Sequence, residues 1–401
     1  MTPSPSRLRV AVLFGGPSLE HEISVITGFQ VMEAFDSERY EVIPVYIDPQ
    51  GLWYTGDDLK HRSRFYPGAA AKRRLKRVTM VRDGGLSLQV VEKGRWLFWG
   101  EAERIPVDVV FPAMHGSVGE DGCLQGHLEM LGAPYVGPSP MAASVSMNKA
   151  ASKVFARAHG IPVLPGKILY RTGWQAERGD EIVQEVIQSL PLPLIVKPCH
   201  LGSSLGVSAA HTPDELLIGL SAAFVLDDEV LLEPLVVDCS ELNVAVARLP
   251  ELHLSAVERP LCKGALLSFE KKYLSGGTKK IPHSHSSGMA SFKRDLNPSD
   301  MPPAWLEQVR QNAVTFYEAL GLSGVSRMDF LVDHAAGRVY FNEVNPIPGS
   351  MSYYLWEAAS PPIGFTELLH RLVQEAMMRH RERSRSQRAV QWRVFQPEPV
   401  Q

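Results

Sequence analysis

Cysteine is scarce in this chain. Its 401 residues include four, Cys123, Cys199, Cys239 and Cys262, and no two are spaced as Cys-x-x-Cys. A zinc ribbon and a dithiol redox pair are therefore not written here. A chain of this length can bury large cores and needs no disulfide framework, so a reducing compartment fits. Long apolar runs are missing too: nothing approaches the roughly 18 residues that a membrane helix requires. The opening segment Met1-Thr2-Pro3-Ser4-Pro5-Ser6-Arg7 has no apolar stretch and does not read as a signal peptide. An excess of one charge sign is also lacking. With 41 Lys plus Arg against 44 Asp plus Glu, the formal net charge is −3, which gives no general affinity for nucleic acid or anionic lipid. Any anion site must be local. The expectation is a cytoplasmic protein of two or three domains with no nucleic-acid and no membrane partner.

What is present alternates between strand and helix signals. Residues 8–14 form a nearly continuous apolar run ended by Gly15-Gly16, as in a buried parallel strand followed by a tight turn. Residues 18–22 open a helix with acidic residues near its start. Residues 40–47 and 107–113 read as further strands, so residues 1–145 are expected to form an open parallel α/β sheet with an insertion at about 50–104. Ligands of such sheets bind at the carboxyl ends of the strands, where Gly15-Gly16 and His115-Gly116 both lie. The basic run Lys72-Arg73-Arg74-Leu75-Lys76-Arg77 reads as solvated surface, because nothing else supports nucleic-acid binding. A second α/β unit, 146–238, holds strands at 194–197 and 230–233. A third, 239–380, ends in strands at 327–332 and 338–345 around a turn at His334-Ala335-Ala336-Gly337. A closing helix follows with Leu368, Leu369, Leu372, Val373 and Ala376 on one face. The polar, Arg-rich residues 381–401 are expected to be a disordered tail.

Chemistry concentrates on the last two strands. Residues two apart on a strand share a face, so Arg327 and Asp329 point one way and Glu343 and Asn345 do so on the neighbour. If the faces coincide, two carboxylates and an amide oxygen converge beside a guanidinium. Such oxygen donors suit Mg²⁺ completed by phosphate ligands; the competing reading is a surface ion pair with Arg327. Elsewhere a strand delivers Lys197 into the Gly/Ser-rich turn Gly202-Ser203-Ser204-Leu205-Gly206, whose backbone N–H groups can approach a phosphate closely. No Gly-Lys-Ser/Thr closes it, so it is not a Walker A loop. Glu20-His21-Glu22, His115-Gly116 with Gly119-Glu120-Asp121-Gly122, and Glu270-Lys271-Lys272-Tyr273 are weaker signals, each of which reads by itself as a structural or solvated segment. The first strand ends without G-x-G-x-x-G, which argues against a nicotinamide dehydrogenase.

In this order and at these separations the motifs resemble the D-alanine–D-alanine ligase family over roughly residues 7–375. Residues 12–24, from Val12 through Gly15-Gly16 to Glu20-His21-Glu22 and Ser24, are similar to its N-terminal signature. Met114-His115-Gly116-Ser117-Val118-Gly119-Glu120-Asp121-Gly122 resembles its second, and Arg327-Met328-Asp329 with Asn342-Glu343-Val344-Asn345-Pro346-Ile347-Pro348-Gly349 its C-terminal ones. The resemblance implies a three-domain ATP-grasp fold and a homodimer. It implies an ATP-dependent enzyme that phosphorylates the carboxylate of one small amino acid and lets the amine of a second displace the phosphate, for cell-wall precursor synthesis. Asp329, Glu343 and Asn345 would hold two Mg²⁺ ions, with Mn²⁺ able to substitute. Arg327 and the Gly349 N–H would steady the oxyanion of the tetrahedral intermediate. Lys149 and Lys197 would contact ATP phosphates, Lys272 would sit near phosphate and substrate, and Glu233 and Glu241 would bind adenine and ribose. Glu20 would hold the first substrate's ammonium and His115 would sit by its carboxylate. Ser203 and Tyr273 would complete a Glu–Ser–Tyr network linking the glycine loop to a closing lid.

The sequence also departs from the family. Leu201 stands where an acidic residue usually precedes Gly-Ser-Ser. The stretch Lys280-Ile281-Pro282-His283-Ser284-His285 lacks the family's cysteine, and Pro346 replaces a threonine. Within Ser350-Met351-Ser352-Tyr353-Tyr354-Leu355, which would meet the second substrate, Tyr354 falls on or beside a position that is often serine. These changes leave the nucleotide and metal residues in place and open a second reading, a ligase with a changed donor or acceptor, such as one making D-alanyl-D-serine or an ester. Tyr273 favours an amine nucleophile, since ester-forming relatives tend to carry phenylalanine there. A non-catalytic nucleotide-binding regulator is disfavoured, because Arg327, Asp329, Glu343 and Asn345 are all present.

Overall fold

The computed structural model describes residues 7–65, 75–91, 102–261 and 293–389. The chain begins with β1 (Leu8–Gly15), α1 (His21–Ala34) and β2 (Tyr40–Ile47). It continues through β3 (Trp53–Thr55), β4 (Lys76–Arg82), β5 (Leu86–Val90) and β6 (Arg104–Pro106), then returns as β7 (Val109–Pro112). These strands form one sheet in the order β6-β5-β4-β3-β2-β1-β7. Only β2, β1 and β7 run parallel; β3 to β6 join as an antiparallel meander. The three strands expected to run parallel do so, and the insertion expected at about 50–104 adds an antiparallel edge to their sheet. The connections at 48–52 and 83–85 are too short for the crossover that a parallel pair needs, so these strands fold back as hairpins. Lys76 and Arg77 of the basic run are exposed on β4, and Lys76 pairs with Glu103 at 2.5 Å, as a solvated surface would.

Helices α2 (Cys123–Met130), α3 (Pro140–Met147) and α4 (Lys149–Ala158) lead to the central sheet. Ser139 and Asn148 cap α3 and α4 with their side chains, and Pro140 occupies the first turn of α3, where its missing N–H costs nothing. The central sheet comprises β8 (Lys167–Tyr170), β9 (Leu194–Pro198), β10 (Ser208–Ala210) and β11 (Glu229–Pro234), with α5 (Gly179–Ser189) and α6 (Pro213–Leu226) between strands. Its order is β10-β9-β11-β8, with every pair antiparallel. Val183, Val196, Leu216, Leu220, Phe224 and Leu232 give it a core of its own.

The third sheet is built from β12 (Cys239–Arg248), β13 (Leu252–Leu254), β14 (Glu258–Pro260), β15 (Arg294–Leu296), β16 (Val325–Asp333) and β17 (Arg338–Asn345). Its main path is β15-β14-β12-β16-β17. Helix α7 (Pro303–Ala319) packs on one face, and α8 (Tyr353–Glu357) and α9 (Phe365–Ala389) close the chain. The tail expected from residue 381 is helical through Ala389. Arg379 bonds the Tyr135 and Gly137 carbonyls, and Arg383 pairs with Glu129 at 2.6 Å, so the last turns have partners. Residues 390–401 lie outside the described residues. Among the described residues no helix is long and apolar enough to cross a membrane.

One core joins the first and third sheets. Val10, Val12 and Phe111 pack with Ala245, Trp356 and Leu372 in a single buried cluster. On the same sheet, Gly28 in the middle of α1 lets that helix lie directly on β1: a Cβ there would stand 2.5 Å from the Phe14 Cβ. Gly28→Ala is expected to destabilise the protein by about 1–3 kcal/mol through overpacking, although alanine gains about 1 kcal/mol in intrinsic helix propensity. Urea unfolding read by circular dichroism checks the sign; an unchanged or higher midpoint would mean that α1 can lift from β1 at no cost.

Candidate active site

The hairpin of β16 and β17 pairs Arg327 with Asn345 and Asp329 with Glu343, then shifts register at a bulge between Asp329 and Phe330. Directly paired residues share a face, so all four side chains converge. Arg327 donates from Nε and Nη2 to the two Asp329 oxygens at 2.7 and 2.8 Å, and Asn345 Nδ2 donates to Asp329 Oδ2 at 3.1 Å. The ion pair anticipated on the surface is thus present, but inside: Arg327 and Asp329 are both buried. Burial opposes the charge on Arg327, yet Asp329 holds its guanidinium well above its ordinary pKa. Glu343 stays partly accessible, 3.3 Å from Lys149 Nζ. Among the described residues no cluster of three or more His, Cys, Asp or Glu could hold a metal by itself. Two carboxylates and an amide oxygen on one face instead fit a hard cation whose remaining ligands are phosphate oxygens and water.

The N-terminal loops meet this face. Glu20 occupies the N-cap of α1, yet its carboxylate does not cap the helix; the Ser203 hydroxyl donates to it from the glycine loop of the central sheet. Ser203 and Ser204 have φ of 53° and 59°, left-handed backbone in non-glycine residues. His115 follows β7, fully enclosed, with Nε2 2.8 Å from Thr27 Oγ1. Burial lowers its pKa to about 4, against the pull of the Ile347 carbonyl. Glu120 accepts from the Gly116 N–H at 2.7 Å and the Ile347 N–H at 3.2 Å, which ties the second signature loop to the Pro346–Gly349 turn. Burial and nearby Glu20 push the Glu120 carboxyl well up. His115 Nδ1 lies 3.8 Å from Glu120, but burial keeps the imidazole neutral near pH 7, so this contact is not an ion pair.

The central sheet contributes lysines. Lys149, at the start of α4, donates to the Leu201 carbonyl. Lys197 on β9 donates to Glu233 Oε2 at 2.8 Å and Asn342 Oδ1 at 2.9 Å. Glu233 is fully buried, and Lys153, one turn after Lys149, pairs with its other oxygen at 2.7 Å. Burial would raise the Glu233 carboxyl, but the two ammonium groups hold it below the usual range. Glu241 sits half-buried on β12 beside Asn243, whose side-chain amide is placed to donate to it at 3.2 Å.

A solvent-open cleft of about 600 Å³ gathers Glu20, His115, Lys149, Ser203, Arg327, Glu343, Asn345 and Gly349. Asp329 lies just behind Arg327. Lys272 and Tyr273 fall outside the described residues. Three expected substrate contacts do not line the cleft. The Ser350 hydroxyl donates to Gln30, the Leu355 side chain is in the shared core, and the Tyr354 hydroxyl donates to Glu258 at 3.1 Å. Arg294 covers the Tyr354 ring at 3.8 Å. The sequence reading missed Lys153, Asn342, Thr27 and Glu258. Lys153 could have been found from its spacing of four from Lys149 on one helix face; the others become visible only through pairing between distant strands and helices.

The buried neutral His115 makes stability pH-dependent. Its folded pKa of about 4 lies below the unfolded value of about 6.5. The unfolded chain therefore takes up the proton first, and stability present above pH ~6.5 is lost as pH falls toward ~4, on the order of 3 kcal/mol for this group. Glu120, raised, contributes with the opposite sign. His115→Gln removes only the histidine's share. Between pH 7 and 4.5 the variant is expected to lose less stability than the parent in urea titrations; parallel losses would show that His115 does not titrate this way.

The chain as a whole is similar to known proteins. Residues 9–138 match the family profile for the D-ala D-ala ligase N-terminus and residues 155–374 that for the D-ala D-ala ligase C-terminus. The chain is 36% identical to D-alanine–D-alanine ligase A of Bradyrhizobium diazoefficiens, covering 95% of this chain and 98% of that protein. Among solved structures it resembles the D-alanine-D-alanine ligase of Coxiella burnetii, with a TM-score of 0.75, 28% identity and 96% and 97% of the two chains covered. It also resembles the VanG D-Ala:D-Ser ligase of Enterococcus faecalis, with a TM-score of 0.72, 26% identity and 92% and 100% covered. With an ATP-grasp architecture, and with both family profiles matched across most of its length, the chain belongs to the D-alanine–D-alanine ligase family of ATP-dependent carboxylate–amine ligases.

Proposed function

We propose that the enzyme joins two D-alanine molecules into D-alanyl-D-alanine for peptidoglycan precursors, in the cytoplasm and as a homodimer. The observation that carries this reading is the convergence, across one cleft, of the Arg327–Asp329–Glu343–Asn345 face with Glu20, Ser203 and Lys149. Bound ATP supplies the phosphoryl group that activates the first carboxylate, and two Mg²⁺ ions held by Asp329, Glu343 and Asn345 would screen its phosphate charge. Lys149 and Lys197 supply cations toward the phosphates and Glu241 meets the nucleoside, whereas Glu233, enclosed between Lys153 and Lys197, is not placed to contact it. Glu20, kept in place by the Ser203 hydroxyl, receives the first substrate's ammonium. His115, neutral and buried, can orient the first substrate's carboxylate without trapping it as an ion pair. Arg327, locked by two bonds to Asp329, presents a preorganised cation where oxyanion charge develops, with the Gly349 N–H beside it.

A second reading keeps the chemistry and changes the acceptor. It is consistent with the likeness to the VanG D-Ala:D-Ser ligase; Tyr354 does not bear on it directly, since its hydroxyl is committed to Glu258 and its ring lies under Arg294. An ADP-release screen across D- and L-amino-acid pairs, with mass detection of products, separates the two; a preferred product other than D-alanyl-D-alanine would replace the leading reading. Two variants probe the parts. Glu343→Gln is expected to cut turnover by roughly 100-fold or more, as loss of one preorganised electrostatic group does, with the melting temperature kept; near-parental rates in Mg²⁺ would remove Glu343 from the metal site. Tyr354→Ser is expected to leave the kcat/KM ratios among D-alanine, D-serine and a larger D-amino acid as second substrate nearly unchanged, because Tyr354 does not line the cleft, and to lower the melting temperature by leaving a cavity in the core. A shift of roughly ten-fold in those ratios would return Tyr354 to acceptor selection.

A further inference from the structure

Glu233 is enclosed completely and has a lysine on each oxygen, Lys153 on Oε1 at 2.7 Å and Lys197 on Oε2 at 2.8 Å. One ammonium suffices to balance one carboxylate. The second leaves a surplus positive charge in a buried place, which is costly unless an anion arrives to use it. The two lysines are not equivalent. Lys197 stands on β9, the strand that runs into the glycine loop, and its other contact is the Asn342 side chain. Lys153 projects from α4, where its other contact is the Phe341 backbone carbonyl at 3.3 Å. Lys149 and Lys153 are four residues apart and share a helix face, the first reaching Glu343 and the second Glu233.

We propose that Lys153 is a positioning residue that serves as the standing counterion of Glu233, so that Lys197 can turn to the nucleotide phosphate without leaving a buried carboxylate alone. This deepens the reading of Lys197 as a phosphate contact and rests on it. In the unliganded enzyme both lysines share Glu233. When the triphosphate enters, Lys197 exchanges one anionic partner for another, and Lys153 keeps the Glu233 charge balanced where it sits. Burial works against Lys153's own charge, bringing its pKa down to about 8 despite Glu233; Lys197 adds to that lowering, and Glu343 opposes it. Arginine at this position would hold its charge throughout and retain the pairing.

The test measures binding of the β,γ-imido analogue of ATP with Mg²⁺ by calorimetry, alongside the melting temperature of the unliganded protein and kcat at saturating ATP. Lys153→Met makes Lys197 the sole partner of Glu233, and its Kd for the analogue is expected to rise roughly 100-fold, as orphaning a buried charge would cause. At saturating ATP, kcat should fall less than about three-fold, because the reacting atoms keep their contacts. Lys153→Arg should restore the affinity. In the K153M/E233Q double variant the carboxylate is gone, and affinity should match that of Glu233→Gln alone. If Lys153→Met does not fold, that last comparison stands by itself, and a large gap between the two overturns the proposal. So does an unchanged Kd in Lys153→Met with only a lower melting temperature, which would mark a structural lysine. Lys197→Ala tests the underlying reading separately. Unchanged analogue affinity there removes Lys197 from the phosphates and the proposal with it. Weakened affinity there with normal affinity in Lys153→Met overturns the proposal alone.

Discussion

The chemistry of the cleft depends on the first and third sheets sharing one hydrophobic core. Val10, Val12 and Phe111 from one and Ala245 from the other meet Trp356 and the Leu368–Leu369–Leu372 stripe of α9. Burial of this kind is non-directional, but close packing makes it rigid. It fixes the ends of β1 and β7, with their glycine turns, against the end of the β16–β17 hairpin. Glu20 and His115 then approach Arg327 and Asn345 from fixed ground, and the polar bonds across the join act over short, set distances. The Glu120 bridge from Gly116 to Ile347 and the Ser350 N–H bond to Thr27 are of this type.

The central sheet is attached differently. Its own core lies between the sheet and helices α5 and α6; a small apolar patch, Ala150, Cys199 and Leu231 with Ile168 beside it, joins the sheet to α4, whose Ala156 belongs to the core of the third sheet. What crosses the cleft is polar: Ser203 to Glu20, Lys149 to Glu343, Lys197 to Asn342 and Lys153 to the Phe341 carbonyl. Polar contacts exchange with water and ligands at little net cost, whereas an apolar interface does not. This side of the cleft is therefore bounded by interactions that a charged ligand can replace.

The sequence made the hairpin legible because a strand has a period of two. Arg327 and Asp329 could be assigned to one face of their strand and Glu343 and Asn345 to one face of its neighbour, the register then bringing the two faces together, and the 334–337 turn falls where its residues place it. β1, β2, β7, β9 and β11 were readable as apolar runs, as buried strands are. β3 to β6 were not, because they lie in a segment that reads as an insertion and most of them are short or partly exposed. The site was legible to the extent that its residues sit in local motifs. Asn342 sits inside the C-terminal signature without a role being read for it, Glu258 carries no local signature, and Lys153 hides in an ordinary helix; each matters through a partner far away in the sequence. Tyr354 and Leu355 show the converse. Motif position put them toward a substrate, while burial gives one to Glu258 and the other to the core.

The turn after the hairpin carries the clearest cost. Ser350, Met351 and Ser352 have φ of 53°, 52° and 50°, three consecutive left-handed residues of which none is glycine. Each such conformation costs on the order of 1 kcal/mol or more, so the run persists only if its surroundings over-determine it. Those surroundings belong largely to α1. Thr27 accepts the Ser350 N–H, Gln30 takes the Ser350 hydroxyl, and Met351 is sunk in the shared core. The same helix starts at Glu20. One rigid rod thus sets the spacing between the Glu20 carboxylate and the turn that carries Gly349 into the cleft. A strained turn pinned by a helix resists relaxing when the cleft fills, which suits the oxyanion role proposed for the Gly349 N–H.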